Sequence, residues 1–443
     1  MTPTLPSRLG IRLANHPAPV ALPGPVAAAE AWRRFRLPAL MCVGLLAFGY
    51  ARTVPGTALS ARAYRGWAVS ALADSDIIAL HGDRGGGRHA LPYLEDRIEY
   101  PVLLGLFMWW PSLVAPNPSA YFAVTYAALA LCAIGALWLL CAMPGTEPWV
   151  FAASPALAVY AGLNWDLEGI FPLLLGVWLW ARGHERWAVG VLALATWTKI
   201  FPAVALWVLL AAALRRGARP ALELAATALA VTLAVNLPFA LTARENWLWF
   251  FRYNSIREIE PSLYLLLGAD PRAFVGGANA ICAAVTLSGA LGLAALELRS
   301  RRVEPLPAAA ALLFLFFAAN KVFSPQYWLW VVAMLALTGA PPWLGASVGA
   351  MAIIDYVASF SLMHLHTERA WREWEWFRRE IFVPALWLRY VTLLACAAWA
   401  ARRAVRWVWP PPSRANALAA DPADSPALER AATEAQRSPT PSQ

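Results

Sequence analysis

Lysine is nearly missing from this chain. Of its 36 basic residues only Lys199 and Lys321 are lysines, and the rest are arginines. Charge of either sign is scarce, 14% of residues against about 25% in soluble domains, while 60% are hydrophobic against about 45–50%. That balance excludes an ordinary soluble fold. Stretches such as 121–143 and 221–241 run to the ~20 apolar residues that a bilayer-spanning helix needs. Cysteine is missing from every loop: Cys42, Cys132, Cys141, Cys282 and Cys396 all fall in apolar segments. No disulfide framework is indicated, and no Cys/His spacing suits a metal. There is no internal repeat of the kind that marks many transporters. The run Gly85-Gly86-Gly87 has no strand before it and no Lys-Ser/Thr after it, so it is not a nucleotide loop.

What the sequence does have is arginine in clusters. Arg33/Arg34/Arg36, Arg215/Arg216/Arg219, Arg299/Arg301/Arg302 and Arg402/Arg403/Arg406 each adjoin an apolar segment. The net charge of +9 therefore reads as a positive-inside pattern, with all four clusters cytoplasmic, and not as a nucleic-acid surface. Residues 1–36, rich in Pro and Ala, are expected to form a disordered cytoplasmic tail ahead of an uncleaved first span. Residues 407–443 are expected to form a second such tail. Between them, 37–406 predicts an all-α polytopic membrane domain. Spans are expected near 37–54, 100–115, 119–143, 148–163, 165–181, 187–214, 221–241, 274–298, 305–319, 323–339, 342–364 and 381–401, ten to twelve in all. Span 187–214 should break at Lys199-Ile200-Phe201-Pro202, because proline removes a helical hydrogen bond. Three polar segments, 55–99, 242–272 and 364–380, should lie outside. The third alternates Trp with charge, as does a helix lying in the interface.

Some of the sparse polar residues fall where burial would be costly. Both lysines sit inside apolar segments, in Lys-Ile-Phe-Pro and Lys-Val-Phe-Ser-Pro. An intramembrane cation marks a site by default, and a snorkelling side chain near a helix end is the alternative. Asn164-Trp165-Asp166-Leu167-Glu168 opens an apolar helix. Asn164 is a good N-cap and first-turn acids suit the helix dipole, so capping and site roles stand level. In the first loop, Asp74 and Asp76 lie two apart ahead of Glu99-Tyr100-Pro101, which turns straight back into the membrane. Arg252 and Arg257 in the second loop could clamp a phosphate, or pair with Glu258 or Glu260.

Ser75-Asp76-Ile77, Leu91-Pro92-Tyr93 and Glu99-Tyr100-Pro101-Val102 resemble the first loop of glycosyltransferase family 87. Asn164-Trp165-Asp166-Leu167, Lys199-Ile200-Phe201-Pro202 and Asn236-Leu237-Pro238 resemble its next blocks. Arg257 through Ser262-Leu263-Tyr264 and Asn320-Lys321-Val322-Phe323-Ser324-Pro325-Gln326-Tyr327 complete the series, in order over roughly 70–330. These are bacterial polyprenol-phosphate-mannose-dependent α-mannosyltransferases with the GT-C membrane fold. The resemblance implies a bacterial plasma-membrane enzyme with an extracytoplasmic active site. It would transfer mannose, with inversion, from a polyprenyl-phosphate donor to a cell-envelope glycolipid or lipoglycan. Asp76 would be its general base, with Asp74 the runner-up. Lys199, Lys321, Arg257 and Arg252 would hold the donor phosphate. Glu99, Tyr100, Asn164, Asp166, Asn320, Gln326 and Tyr327 would line or support the site. No cofactor is expected to be required; a divalent metal at Asp74 and Asp76 is possible but lacks a third ligand. A GT-C transferase of arabinose or glucose, a lipid or sugar transporter or flippase, and a partner subunit without catalysis are the other readings.

Overall fold

The structure is a computed structural model of the 443-residue chain and describes residues 26–83, 89–300 and 303–406. Most of the two tails, the Gly85–Gly87 run and Arg301/Arg302 lie outside the described residues. The chain opens with α1 (Ala28–Thr53), which begins inside the stretch expected to be tail. The first polar segment carries α2 (Ala61–Ser70) and α3 (Asp76–Asp83), and leads into α4 (Val102–Trp109). Then come α5 (Pro118–Ala142), the one-turn pair α6 (Pro148–Ala152) and α7 (Ala156–Tyr160), and α8 (Asp166–Ala181). Next are α9 (Glu185–Thr196), α10 (Pro202–Ala213), α11 (Ala218–Thr242) and α12 (Arg244–Ile256). After the short α13 (Leu263–Leu266) follow α14 (Val275–Ser300), α15 (Pro305–Ala319) and α16 (Trp328–Leu337). The described chain ends with α17 (Pro342–Thr367), α18 (Trp371–Phe377) and α19 (Val383–Arg406), the last two joined by a π-helical turn. Among the described residues there is no strand, only an isolated bridge between Pro92 and Asp96.

Among the described residues six helices are long and apolar enough to cross a bilayer: Ala28–Ala58, Pro118–Ala142, Ala218–Thr242, Val275–Leu298, Pro342–Thr367 and Trp371–Val405. The protein is an all-helical, multi-pass membrane protein. The ten to twelve spans expected from sequence are not met by full-length helices. The other expected spans are shorter, and the reason is local. Span 187–214 splits into α9 and α10 across Trp197–Phe201, with Pro202 opening the second half. Span 148–163 splits at Ser154-Pro155, and Pro325 holds α16 apart from α15.

These short helices share one end of the bundle. There Arg34 donates to the carbonyls of Cys141 and Met143, Glu147 N to Ala336 O, Arg216 to Glu185, Arg215 to Val303 O, and Arg403 to Gly339 O. Arg34, Arg215 and Arg403 come from three of the four arginine clusters. Measured from that end, the 12 residues of α9 or α10 reach only about 18 Å and the 10 of α16 about 15 Å, against a hydrocarbon core of about 30 Å. Each is therefore too short to cross that core alone. Neighbouring helices go on: α11 passes Trp197, whose Nε1 donates to Thr232 Oγ1 at 3.2 Å, and continues to Thr242. α17 meets Arg52 through Tyr356 and continues to Thr367. The short helices thus end at a floor below the level of the taller ones, and Asp76, Asn164, Asp166 and Lys199 are gathered there.

Candidate active site

The floor is built from loop residues that the sequence could not keep helical. Trp197–Phe201, Ala161–Trp165 and Asn320–Tyr327 each follow or precede a proline-limited helix; the first two bring Lys199 and Asn164 together, and the third packs beside them through Tyr327 on Phe201. Lys199 Nζ lies 3.1 Å from both carboxylate oxygens of Asp166 and 3.0 Å from Asn164 Oδ1. Asp166 is fully buried and also accepts the indole N–H of Trp330 at 2.7 Å. That approach requires Gly169, since a Cβ there would stand 2.8 Å from Thr198 Oγ1 and 2.9 Å from the Trp330 ring. With its carbonyl oxygen on Lys199 and on the Trp165 N–H, the Asn164 amide is turned outward. It donates to Asp76 Oδ2 at 2.7 Å and to the Tyr100 hydroxyl at 3.0 Å.

Asp76 is held from its own side as well. Its backbone N–H donates to Leu163 O at 2.8 Å, and the buried Ser75 hydroxyl donates to Gly162 O at 2.5 Å, clamping the first loop onto the α7–α8 turn. Tyr100 is delivered by a second clamp. Tyr93, at φ +68°, donates its hydroxyl to Pro101 O at 2.7 Å and to Tyr100 O at 3.0 Å. A bulky residue in that left-handed conformation costs about 1–3 kcal/mol and persists only where its surroundings demand it. Among the described residues Asp76 Oδ1 has no hydrogen-bond donor, so one oxygen is fixed and the other is left to meet a ligand. Burial raises the Asp76 pKa above the usual carboxylate range, partly offset by Asn164 and by the Lys199 charge. Asp74 is raised to about 6 by burial and then by the Asp76 charge, with Arg52 opposing.

Across from Asp76 stand the groups of the second loop and the Asn320–Tyr327 turn. Arg257 is within electrostatic reach of Asp76. Its Nε donates to Glu260 at 2.6 Å. Lys321 is buried, donates to Ser255 O at 3.3 Å, and through its own carbonyl accepts from Glu260 N. Tyr327 stacks on Phe317 with centroids 5.1 Å apart and lies beside Phe201. Gln326 is buried in the same turn, and Asn320 caps it locally, its Oδ1 accepting from Val322 N. Glu99 sits half-buried immediately before Tyr100.

Two of the expected roles change. Lys199 was expected to bind donor phosphate, but an ammonium has three donors and Asp166 and Asn164 take all three. It positions Asn164 instead. Arg252 was expected beside Arg257, but it is exposed on α12 and bonds Glu245 at 2.5 Å. Among the described residues no three His, Cys, Asp or Glu side chains gather as a metal ion would require.

Three contributors escaped the sequence reading. Trp330 is one, hidden in an apolar run where only its N–H carries the signal. The others are Asp355 and Arg389, a fully buried ion pair between α17 and α19. Asp355 also accepts Trp328 Nε1 at 2.8 Å, and Arg389 donates to Pro261 O at 2.7 Å, tying the second loop and the Tyr327 turn to the bundle. Two lone charges inside apolar spans were the available signal.

No protein-family model, curated protein or solved structure matches the chain.

Proposed function

We propose that this protein is a membrane glycosyltransferase that moves a sugar from a polyprenyl-phosphate donor to a glycolipid or lipoglycan acceptor, with Asp76 as general base. The observation that carries the reading is the chain Trp330–Asp166–Lys199–Asn164–Asp76. It spends two buried charges on fixing one oxygen of a carboxylate that is otherwise open, at the end of the bundle remote from the arginine clusters. A membrane-depth floor also suits a donor whose tail stays in lipid while its sugar meets an aqueous acceptor.

In the proposed reaction the acceptor hydroxyl attacks the anomeric carbon. The bond from that carbon to the phosphate oxygen breaks, and the hydroxyl proton passes to Asp76 Oδ1. Negative charge gathers on the departing polyprenyl phosphate, where Arg257 and Lys321 are the cations to meet it. Mannose and a bacterial plasma membrane are favoured by the sequence resemblance, and the positive-inside reading favours a reaction on the extracytoplasmic face. The test is transfer of radiolabelled mannose from polyprenyl-phosphate-mannose to membrane acceptors by the full chain in proteoliposomes, beside arabinose and glucose donors. Transfer from any one supports the enzyme and names its sugar. None from all three removes the reading and favours transport.

A further inference from the structure

Helix α12 is oddly furnished for a helix with no buried residue. Five of its 13 residues are aromatic (Trp247, Trp249, Phe250, Phe251 and Tyr253), and only Trp247 packs against a core cluster, that of Tyr93, Ile98 and Val102. Two of them form an ordered stripe. Trp249 and Tyr253 are one turn apart on the same face, with ring centroids 6.1 Å apart. Arg97, from the loop that delivers Tyr100, lies over the Trp249 ring at 5.5 Å. Arg257, one further turn along, lies over the Tyr253 ring at 5.8 Å. The order Arg97–Trp249–Tyr253–Arg257 makes a ladder of alternating guanidinium and aromatic groups. One end is within electrostatic reach of Asp76 and the other is on the exposed rim of the first loop.

Each part of this ladder has a ligand preference. Aromatic faces carry negative quadrupole density and accept the polarised C–H face of a sugar ring, as they accept a cation. Guanidinium groups present planar forks to phosphate or carboxylate. The three successive separations of 5.5, 6.1 and 5.8 Å make a stripe longer than a single anion, which suits an extended ligand. We propose that Arg97, Trp249 and Tyr253 form the acceptor subsite, ending where Arg257 meets the donor phosphate, and that the acceptor is an oligosaccharide carrying anionic groups, stacked along α12 with its reactive hydroxyl toward Asp76. This rests on the transferase reading above, but it concerns binding and can be read without transfer.

The experiment is saturation-transfer-difference NMR of the full chain in detergent, with mannopentaose phosphate as probe and unphosphorylated mannopentaose beside it. Trp249→Leu, Tyr253→Leu and Arg97→Gln alter half-exposed or exposed side chains, and their thermal unfolding in the same detergent verifies that the fold is kept. Expected results are saturation of sugar ring protons in the wild type, tighter binding of the phosphorylated probe, and about tenfold weaker binding in either aromatic variant. In Arg97→Gln the advantage of the phosphorylated probe should shrink. Equal binding by wild type and variants, or no saturation in the wild type, overturns the subsite. Ladder-dependent binding in a chain that transfers no sugar from any donor would keep the subsite and remove the transferase reading alone.

Discussion

Lys199 and Asp166 form an ion pair, 3.1 Å from Nζ to Oδ2, with side-chain exposures of only 9% and 0%. Burying two charges costs several kcal/mol each, and the attraction between them only roughly repays it, so the pair is poor evidence of stability for its own sake. Its product is orientation. The lysine fixes the Asn164 carbonyl, and that leaves the amide no choice but to face Asp76 and Tyr100.

Removing one member should hurt more than removing both. Lys199→Met leaves Asp166 charged and buried and is expected to cost about 3–5 kcal/mol, read as a lower unfolding temperature in detergent. Lys199→Met/Asp166→Leu should recover most of that stability while transfer stays lost, because Asn164 is no longer oriented. A stable and fully active double variant would refute the positioning role.

Gly169→Ala tests the next link. The added methyl meets Thr198 Oγ1 and the Trp330 ring below 3 Å, an overpacking expected to cost about 1–3 kcal/mol. Because Trp330 must move off Asp166, transfer should fall in Gly169→Ala and in Trp330→Phe alike, measured in the same proteoliposomes. In Gly169→Ala/Trp330→Phe the loss should be less than the product of the two.

The acid response follows from the two loop carboxylates. Asp74 has its pKa raised to about 6 from an ordinary value of 3.8. Its protonated form is therefore the one folding favours: the contribution is full below about pH 4 and is lost as pH rises through about 6. Asp74→Asn should be more stable than wild type at pH 7–8 and should flatten the stability profile between pH 4 and 6, as thermal unfolding across that range will show. Activity should respond in the opposite sense. Asp76 must be ionised to act as base, and its pKa is raised, so transfer should climb with pH at values above the ordinary carboxylate range.

Much of the helical layout was legible because its signals are local. The Lys199-Ile200-Phe201-Pro202 break follows from one proline, and α5 and α11 from apolar runs of about 20 residues. The boundary of α1 was misplaced because Ala28–Arg36 combines good helix formers with charge, and length alone does not tell such a helix from a tail. Convergence of Asp76, Asn164, Asp166 and Lys199 was signalled by the resemblance of their motifs to one family's blocks, and otherwise only as scattered charge in apolar context. Which of them touches which depends on where short helices end in three dimensions, and Lys199 was assigned to phosphate for that reason. Asp355 and Arg389 carried the same signal as the lysines, but without a motif around them they attracted no reading.

That second buried pair makes its own prediction. Arg389 holds Pro261 O and Asp355 holds Trp328, so together they set the distance of Arg257, Lys321 and Tyr327 from Asp76. Arg389→Met should destabilise by about 3–5 kcal/mol through the orphaned Asp355. In Arg389→Met/Asp355→Leu stability should return while the donor KM stays raised, measured by titrating the donor at fixed acceptor.

The most direct measurement is transfer by Asp76→Asn beside wild type, with donor binding and unfolding temperature recorded on the same preparations. The substitution keeps the shape and leaves the side chain able to contact Asn164, but removes the proton acceptor. General-base loss should lower the rate by about 10²–10⁴-fold with donor binding and fold intact. Unchanged transfer in Asp76→Asn would contradict the account and move the base to Asp74.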